Sequence, residues 1–316
     1  MTVVEVRAER ASKPVAAIDC GTNTIKLLIG DLPEVAVRES RMVRLGQGVD
    51  ATGRLAPEAL VRAFEAIDEY ARLIADHGAE RIRFCATSAT RDADNSAEFT
   101  AGVRARLGID PEVLSGEEEA RLAFDGAVRG TTPGPEPVLV FDVGGGSTEL
   151  ILGTRAEGPM AAHSMDIGSV RLHERCLGGD PATDDQLAAC IAAIDAALDA
   201  CPVDPAAAAA VIGVAGTVTT VAAGVLGLPA YDRELIHGRA LDIDDVHRTV
   251  DELVHLTRAE RLALGYVHPG RLDVIDAGAL IVSRVLRRVQ VPTLTVAETD
   301  ILDGIAWSLA GPAPTI

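Results

Sequence analysis

Aromatic residues are nearly missing from this 316-residue chain: one Trp, three Tyr and five Phe, 3% in all. The core must therefore be aliphatic, and the 48% hydrophobic content supplies enough Leu, Val, Ile and Ala. Cysteine is also sparse. Cys20, Cys85, Cys176, Cys190 and Cys201 form an odd set with no Cys-x-x-Cys. That excludes a disulfide scaffold and fits free thiols in a reducing compartment, so a cytoplasmic protein is expected. No charged-then-apolar leader opens the chain, and no unbroken apolar run approaches the roughly 20 residues of a membrane span. Basic charge is short as well: 29 Lys and Arg against 47 Asp and Glu leave a net charge of −18. Neither nucleic acid nor an anionic membrane is an expected partner of such a surface. A polyanionic ligand would need a local basic pocket, screened from the rest by salt and bound metal. There is no G-x-x-x-x-G-K-[ST] loop, His-Glu-x-x-His helix, Gly-x-Ser-x-Gly elbow or His-Asp pair.

What is present centres on Val138–Gly153, VLVFDVGGGSTELILG. Two apolar runs flank a Gly-rich bend, which predicts a β-hairpin. Glycines let backbone N–H groups close on an anion, and Ser147 and Thr148 add hydroxyl donors. Asp142 ends the first strand and Glu149 lies just past the bend, so both carboxylates can face a cleft and hold a divalent metal. Val15–Gly30, VAAIDCGTNTIKLLIG, repeats this pattern 123 positions upstream without a gap. Asp19 falls on Asp142, Gly21 on Gly144, Thr24 on Ser147 and Gly30 on Gly153. Two copies predict two similar lobes, each offering a phosphate loop. Tight hairpins between buried strands also use Gly and Thr, and that is the bland alternative.

Length alone suggests about two domains. Pro57–Asp76 is a helix by its stripe of Leu60, Phe64, Ile67, Ala71 and Ile74. Arg81–Ala86 reads as a strand, and Thr87–Asp92 as the loop after it, where ligands of α/β sheets gather. Arg91 there suits a phosphate, or else a surface pairing with Asp92 or Asp94. Ser115 and Glu118 form a capping box. Glu119 follows, where Leu114 would prefer an apolar staple partner, so it is a candidate general base. Gly130–Pro137 is the best linker. Lys26 and Arg171 are further candidates for the cleft. Ala215-Gly216-Thr217 opens a helix directly after strand Val211–Val214, a ready anion site. Helices over Asp184–Ala200, 244–256, 258–264, 271–288 and 301–309, with strands at 38–43 and Thr293–Val296, complete an α/β alternation.

Four stretches occur in order: Asp19-Cys20-Gly21-Thr22-Asn23-Thr24, Ser115–Arg121, Asp142–Glu149 and Gly213–Thr217. Together with His268-Pro269-Gly270-Arg271, they resemble the exopolyphosphatase / guanosine pentaphosphate phosphatase family of the actin-like ATPase superfamily. The resemblance runs over about Val15–Leu309, to where the family's short form ends. It implies two ribonuclease-H-like α/β lobes with the active site between them. The lobes would be 1–130 and 131–299, with a C-terminal helix of about 300–316 packed back on the first. It implies Glu119 as the base that activates water, and Asp142 and Glu149 as ligands of Mg²⁺ (Mn²⁺ as the alternative), with Asp19 a further candidate. It implies Gly21, Thr22, Asn23, Thr24, Gly144, Gly145, Gly146, Ser147, Gly216 and Thr217 as phosphate-loop residues, Arg91 as a phosphate contact, and a homodimer. Ala297 and Leu302-Asp303-Gly304 depart from the family's Ser and Arg-Glu-Gly. The expected activity is release of terminal orthophosphate from polyphosphate. Hydrolysis of guanosine pentaphosphate is the alternative, and a kinase or a non-catalytic nucleotide sensor is the rival class.

Overall fold

The computed structural model describes residues 13–132 and 134–310. Most of the loose end expected at 1–14, Pro133 of the expected linker, and the last six residues lie outside the described residues.

Two sheets organise the chain. The first contains β1 (Val15–Cys20), β2 (Thr24–Asp31), β3 (Glu34–Met42), β4 (Arg81–Ala86) and β5 (Glu112–Val113), in the order β3-β2-β1-β4-β5. The second contains β6 (Val138–Val143), β7 (Thr148–Thr154), β8 (Gly158–Met165), β9 (Ala210–Val214), β10 (Ala240–Asp242) and β11 (Thr293–Val296), in the order β10-β11-β9-β6-β7-β8. Each is an antiparallel meander continued by parallel strands, with β10 added antiparallel at the edge of the second, and these are the two ribonuclease-H-like lobes expected. The repeat is exact in register. Val15 faces Gly30 and Cys20 faces Ile25 in one hairpin; Val138 faces Gly153 and Val143 faces Thr148 in the other. Even the bulges match, at Ile29/Gly30 and Leu152/Gly153. β1 and β6 are buried along their whole length because helices cover both faces, which is why they read as unbroken apolar runs.

Helix Ile301–Ala310 lies on the first sheet. Its Ile301, Leu302, Ile305 and Ala306 join Ala17, Leu28 and Leu122 in one buried cluster. Two glycines permit the close crossing with helix Gly116–Gly130. A Cβ on Gly126 would lie 1.9 Å from Asp300 O, and one on Gly304 2.0 Å from Leu122 O.

Several boundaries differ from expectation. The segment after β4 is not all loop: Ser88–Arg91 forms one helical turn. β3 begins at Glu34, four residues earlier than expected. The long helix expected from Arg271 starts at Ile275, because Pro269–Arg271 makes a separate 3₁₀ turn. Glu149 lies just past the bend, as expected, in β7 and directly opposite Asp142. Helix Ser96–Leu107 escaped notice because it buries only Phe99 and Val103, helix Ser169–Cys176 because it is short, and β8 because it is a half-exposed edge. All five cysteines are free. Among the described residues no helix is long and apolar enough to cross a membrane.

Candidate active site

The two Gly-rich bends face each other, and both are built the same way. In the first, Gly21 N donates to Thr24 O at 2.9 Å; in the second, Gly144 N donates to Ser147 O at 3.1 Å. In each, a neighbouring segment takes the loop's carbonyls. Gly46 N binds Thr22 O, while Val43 N and Arg44 N bind Asn23 O. Ser169 N binds Gly144 O, and Val170 N and Arg171 N bind Gly145 O. A trans peptide points its N–H opposite its C=O, so fixing the carbonyls outward turns the following amides toward the gap. Amides turned this way could receive an anion, as concave amide clusters do. The bends also touch. A Cβ on Gly146 would sit 2.5 Å from Ser88 Oγ and 2.7 Å from Thr22 Oγ1, so only glycine allows this approach. Thr22 Oγ1 and Ser88 Oγ are themselves 2.9 Å apart.

Between the bends lies a narrow cavity of about 60 Å³. Of the expected residues, Asp19, Gly21, Thr22, Asn23, Thr24, Glu119, Asp142, Gly144, Gly145, Ser147, Glu149 and Gly216 line it. Gly146, Arg91 and Thr217 do not. Gly146 forms the contact between the bends. Arg91 lies behind Glu119, with Nη1 donating to Glu119 Oε2 at 3.0 Å and to Leu114 O at 2.8 Å. Thr217 turns its side chain toward Gly278.

Four acids crowd this cavity. Burial pushes Glu119 up to about 7, although Arg91 pulls the other way. Burial, reinforced by Asp300, pushes Asp142 up to about 8. Burial raises Glu149 well above the usual range, with Glu119 and Asp142 adding to it, while Ser164 Oγ donates to its Oε1 at 2.6 Å. Asp19 is raised by burial too, but it has a cation: Lys26 Nζ lies 3.4 Å away. Lys26 is shared with Asp300, to which it donates at 2.6 Å.

Asp142 and Glu149 face each other, buried and, among the described residues, without an ion-pair partner, and if both ionise the opposed charges destabilise the strand pair. No three His, Cys, Asp or Glu side chains among the described residues form a closed metal cage. Mg²⁺ does not need one. It takes one or two carboxylates and fills its shell with water and phosphate oxygens. The all-oxygen pair Asp142/Glu149 therefore fits Mg²⁺ and suits zinc poorly.

Sequence reasoning missed Ser88, Arg271 and Asp300. Arg271 lies over Gly216, where a Cβ would come 1.9 Å from its Nη2, and burial lowers its pKa. It lines both the small cavity and an adjoining outer cleft of about 670 Å³. Among the described residues its guanidinium makes no hydrogen bond or ion pair. Its position in the Pro-Gly-Arg stretch was the one available signal; Asp300 left none. The other outer-cleft cations are paired: Arg38 with Asp303, Arg233 with Glu298, and Lys26 with Asp300. Tyr231, Tyr266, Met42 and Val267 also line this cleft. Ala297 and Leu302, the two departures from the family pattern, lie in the same wall.

Two α/β lobes whose Gly-rich bends meet over a narrow acidic cavity define the fold class, and the family match below makes it a phosphatase. The Ppx/GppA phosphatase family matches residues 28–311, and the chain belongs to that family. A Mycobacterium tuberculosis protein named exopolyphosphatase 2 is 46% identical over 319 residues, 94% of this chain and 98% of that protein. Among solved structures, an exopolyphosphatase-like protein has a TM-score of 0.91 at 42% identity, covering 94% of this chain and 98% of its own. An exopolyphosphatase from Cytophaga hutchinsonii has a TM-score of 0.86 at 28% identity, covering 94% and 97%. The chain is an enzyme of the phosphoanhydride hydrolase class.

Proposed function

We propose that this chain is an exopolyphosphatase that removes the terminal phosphate of inorganic polyphosphate. The observation that carries the reading is the placement of Glu119, buried in the cavity between the two Gly-rich bends and hydrogen-bonded by Arg91. In this reading the terminal phosphoryl group occupies the small cavity, held by loop amides such as those of Asn23, Gly145 and Ser147, since the Gly21 and Gly144 amides are spent inside their own bends. Water attacks the terminal phosphorus, the bond to the bridging oxygen breaks, and orthophosphate leaves with a chain one unit shorter. Glu119 takes the proton of the attacking water, and a carboxylate poised near neutral pH suits that task. Arg91 fixes the carboxylate's direction. Mg²⁺ held by Asp142 and Glu149 would neutralise the phosphate oxygens during transfer. Arg271 meets the next phosphate as the substrate leaves the cavity. The chain divides at 130/131 in this account, with the last helix returned to the first lobe.

A second reading has its own support. Apart from Arg271, the outer cleft's arginines and lysine are already matched by acids, and two of the chain's three tyrosines lie there. Such a wall suits an uncharged planar group better than a polyanionic tail. A nucleoside polyphosphate such as guanosine pentaphosphate would then be the substrate, cleaved by the same chemistry. Phosphate release from polyphosphates of defined length and from guanosine pentaphosphate, with Mg²⁺ and with chelator, decides between them. Release from none of these would overturn both readings.

A further inference from the structure

Arg171 lies outside the small cavity, yet it joins both sides of the cleft. It sits in the first turn of helix Ser169–Cys176, with its side chain only 12% exposed. Nε donates to Gly146 O at 2.7 Å, Nη1 donates to Asp50 Oδ1 at 2.7 Å, and Nη2 donates to Asp92 Oδ2. Gly146 is part of the second phosphate loop. Asp50 and Asp92 belong to the first lobe, in the turn Val49–Thr52 and next to Arg91. The same helix makes two more attachments across the gap. Arg175 donates to both oxygens of Asp50, at 2.5 and 2.6 Å, and Glu174 Oε1 accepts from Gly48 N at 3.0 Å.

These bonds bear on the phosphate. Drawing the Gly146 carbonyl toward Arg171 turns the N–H of the same peptide, which belongs to Ser147, into the cavity. A guanidinium is a rigid planar fork, so two nitrogens held by Asp50 and Asp92 fix where the third points. We propose that Arg171 is a positioning residue that couples closure of the two lobes to assembly of the second phosphate loop. With Asp50 and Asp92 alongside, Nε meets Gly146 and the loop amides face the phosphate. With the lobes apart, the guanidinium is free to rotate and that orientation lapses. The inference rests on hydrolysis taking place in this cleft.

The test uses full-length protein. Arg171→Lys keeps the charge, but a single ammonium cannot span three acceptors. A displacement of about 1 Å at a reacting group costs on the order of a hundredfold. We expect kcat to fall at least tenfold with Tm nearly unchanged. Asp50→Ala/Asp92→Ala, altered only on the far lobe, is expected to lose kcat by the same factor, and adding Arg171→Lys should cost nothing more. A kcat within twofold of wild type for Arg171→Lys, or losses that multiply, overturns the proposal. A merely structural role would lower Tm and leave kcat per folded molecule intact. If wild type hydrolyses no phosphoanhydride, it is the functional reading that fails. The coupling is then read by small-angle scattering during titration with tripolyphosphate. Arg171→Lys should need at least tenfold more ligand to compact, and equal midpoints would overturn it.

Discussion

Replacing Glu119 with Gln tests the proposed chemistry with little disturbance. The amide keeps the shape of the carboxylate, and its oxygen still accepts from Arg91, now 3.0 Å from Glu119 Oε2. Only the capacity to take a proton is lost. A positioned general base contributes about 10²- to 10⁴-fold, or roughly 3–5.5 kcal/mol of barrier at about 1.4 kcal/mol per tenfold. Kcat for phosphate release should fall by that factor. Substrate binding should hold or tighten, because a negative charge beside a phosphate is removed. The pH profile gives a second readout. Wild-type kcat should rise with pH through about 7, where Glu119 loses its proton. That limb belongs jointly to Glu119, Asp142 and Glu149, because an ionised Glu119 disfavours ionisation of the other two. In Glu119→Gln its position should shift or vanish. Phosphate release under single-turnover conditions measures the step, and calorimetric titration with non-hydrolysed ligand measures binding. A kcat within tenfold of wild type, with an unchanged profile, would refute the assignment.

Stability should depend on pH in an unusual direction when divalent cations are chelated. Asp142 at about 8, and Glu149 and Asp19 also raised, bind protons more tightly folded than unfolded. Their contribution is full below the usual carboxylate range and is lost as pH rises toward 8. Tm in chelator should therefore fall between about pH 5 and pH 8, and added Mg²⁺ should flatten the decline; a Tm that climbs over this range in chelator would contradict it. Depressed acids such as Asp50 titrate below this window. Arg271→Ala should raise KM about 10- to 100-fold, from a charged hydrogen bond of about 1.5–3 kcal/mol, and leave Tm unchanged or higher, as steady-state kinetics and scanning fluorimetry will read. Gly304→Ala drives a methyl to 2.0 Å from Leu122 O, so urea unfolding should show a loss of about 1–3 kcal/mol or more.

The hairpins were legible because their information is local. Buried strands read as apolar runs, bends as glycine, and the repeat as a constant offset. Glu119 stood out because a charged side chain occupied a staple position. What escaped was set by partners far along the chain. Asp300 matters because it holds Lys26, 274 residues away. Arg271 matters because among the described residues its guanidinium makes no hydrogen bond or ion pair, which no local pattern reveals. Arg91, expected at the phosphate, donates to Leu114 O at 2.8 Å and to Glu119 Oε2 at 3.0 Å, partners 23 and 28 residues away that no local pattern assigns to it. Arg171 stood out as a cleft residue, but its three acceptors come from three separated segments.

The duplication also bears on where the proposed cation would sit. Along the repeat, the position equivalent to Glu149 is Lys26, and each lies across its hairpin from an aspartate: Asp19 opposite Lys26, Asp142 opposite Glu149. One scaffold thus carries opposite signs in its two copies. In the first lobe the aspartate's charge is met within the fold by an ammonium. In the second, two buried carboxylates face each other, and burial keeps both raised. A divalent ion would relieve the second pair and would have little to offer the first, so the proposed reading makes Asp142 and Glu149 the stronger candidate ligands and Asp19 the weaker. Lys26→Glu should give the first lobe the same acidic pair. A second equivalent of Mg²⁺ bound by that variant in calorimetry would support this account, whereas unchanged stoichiometry in the folded variant would count against it.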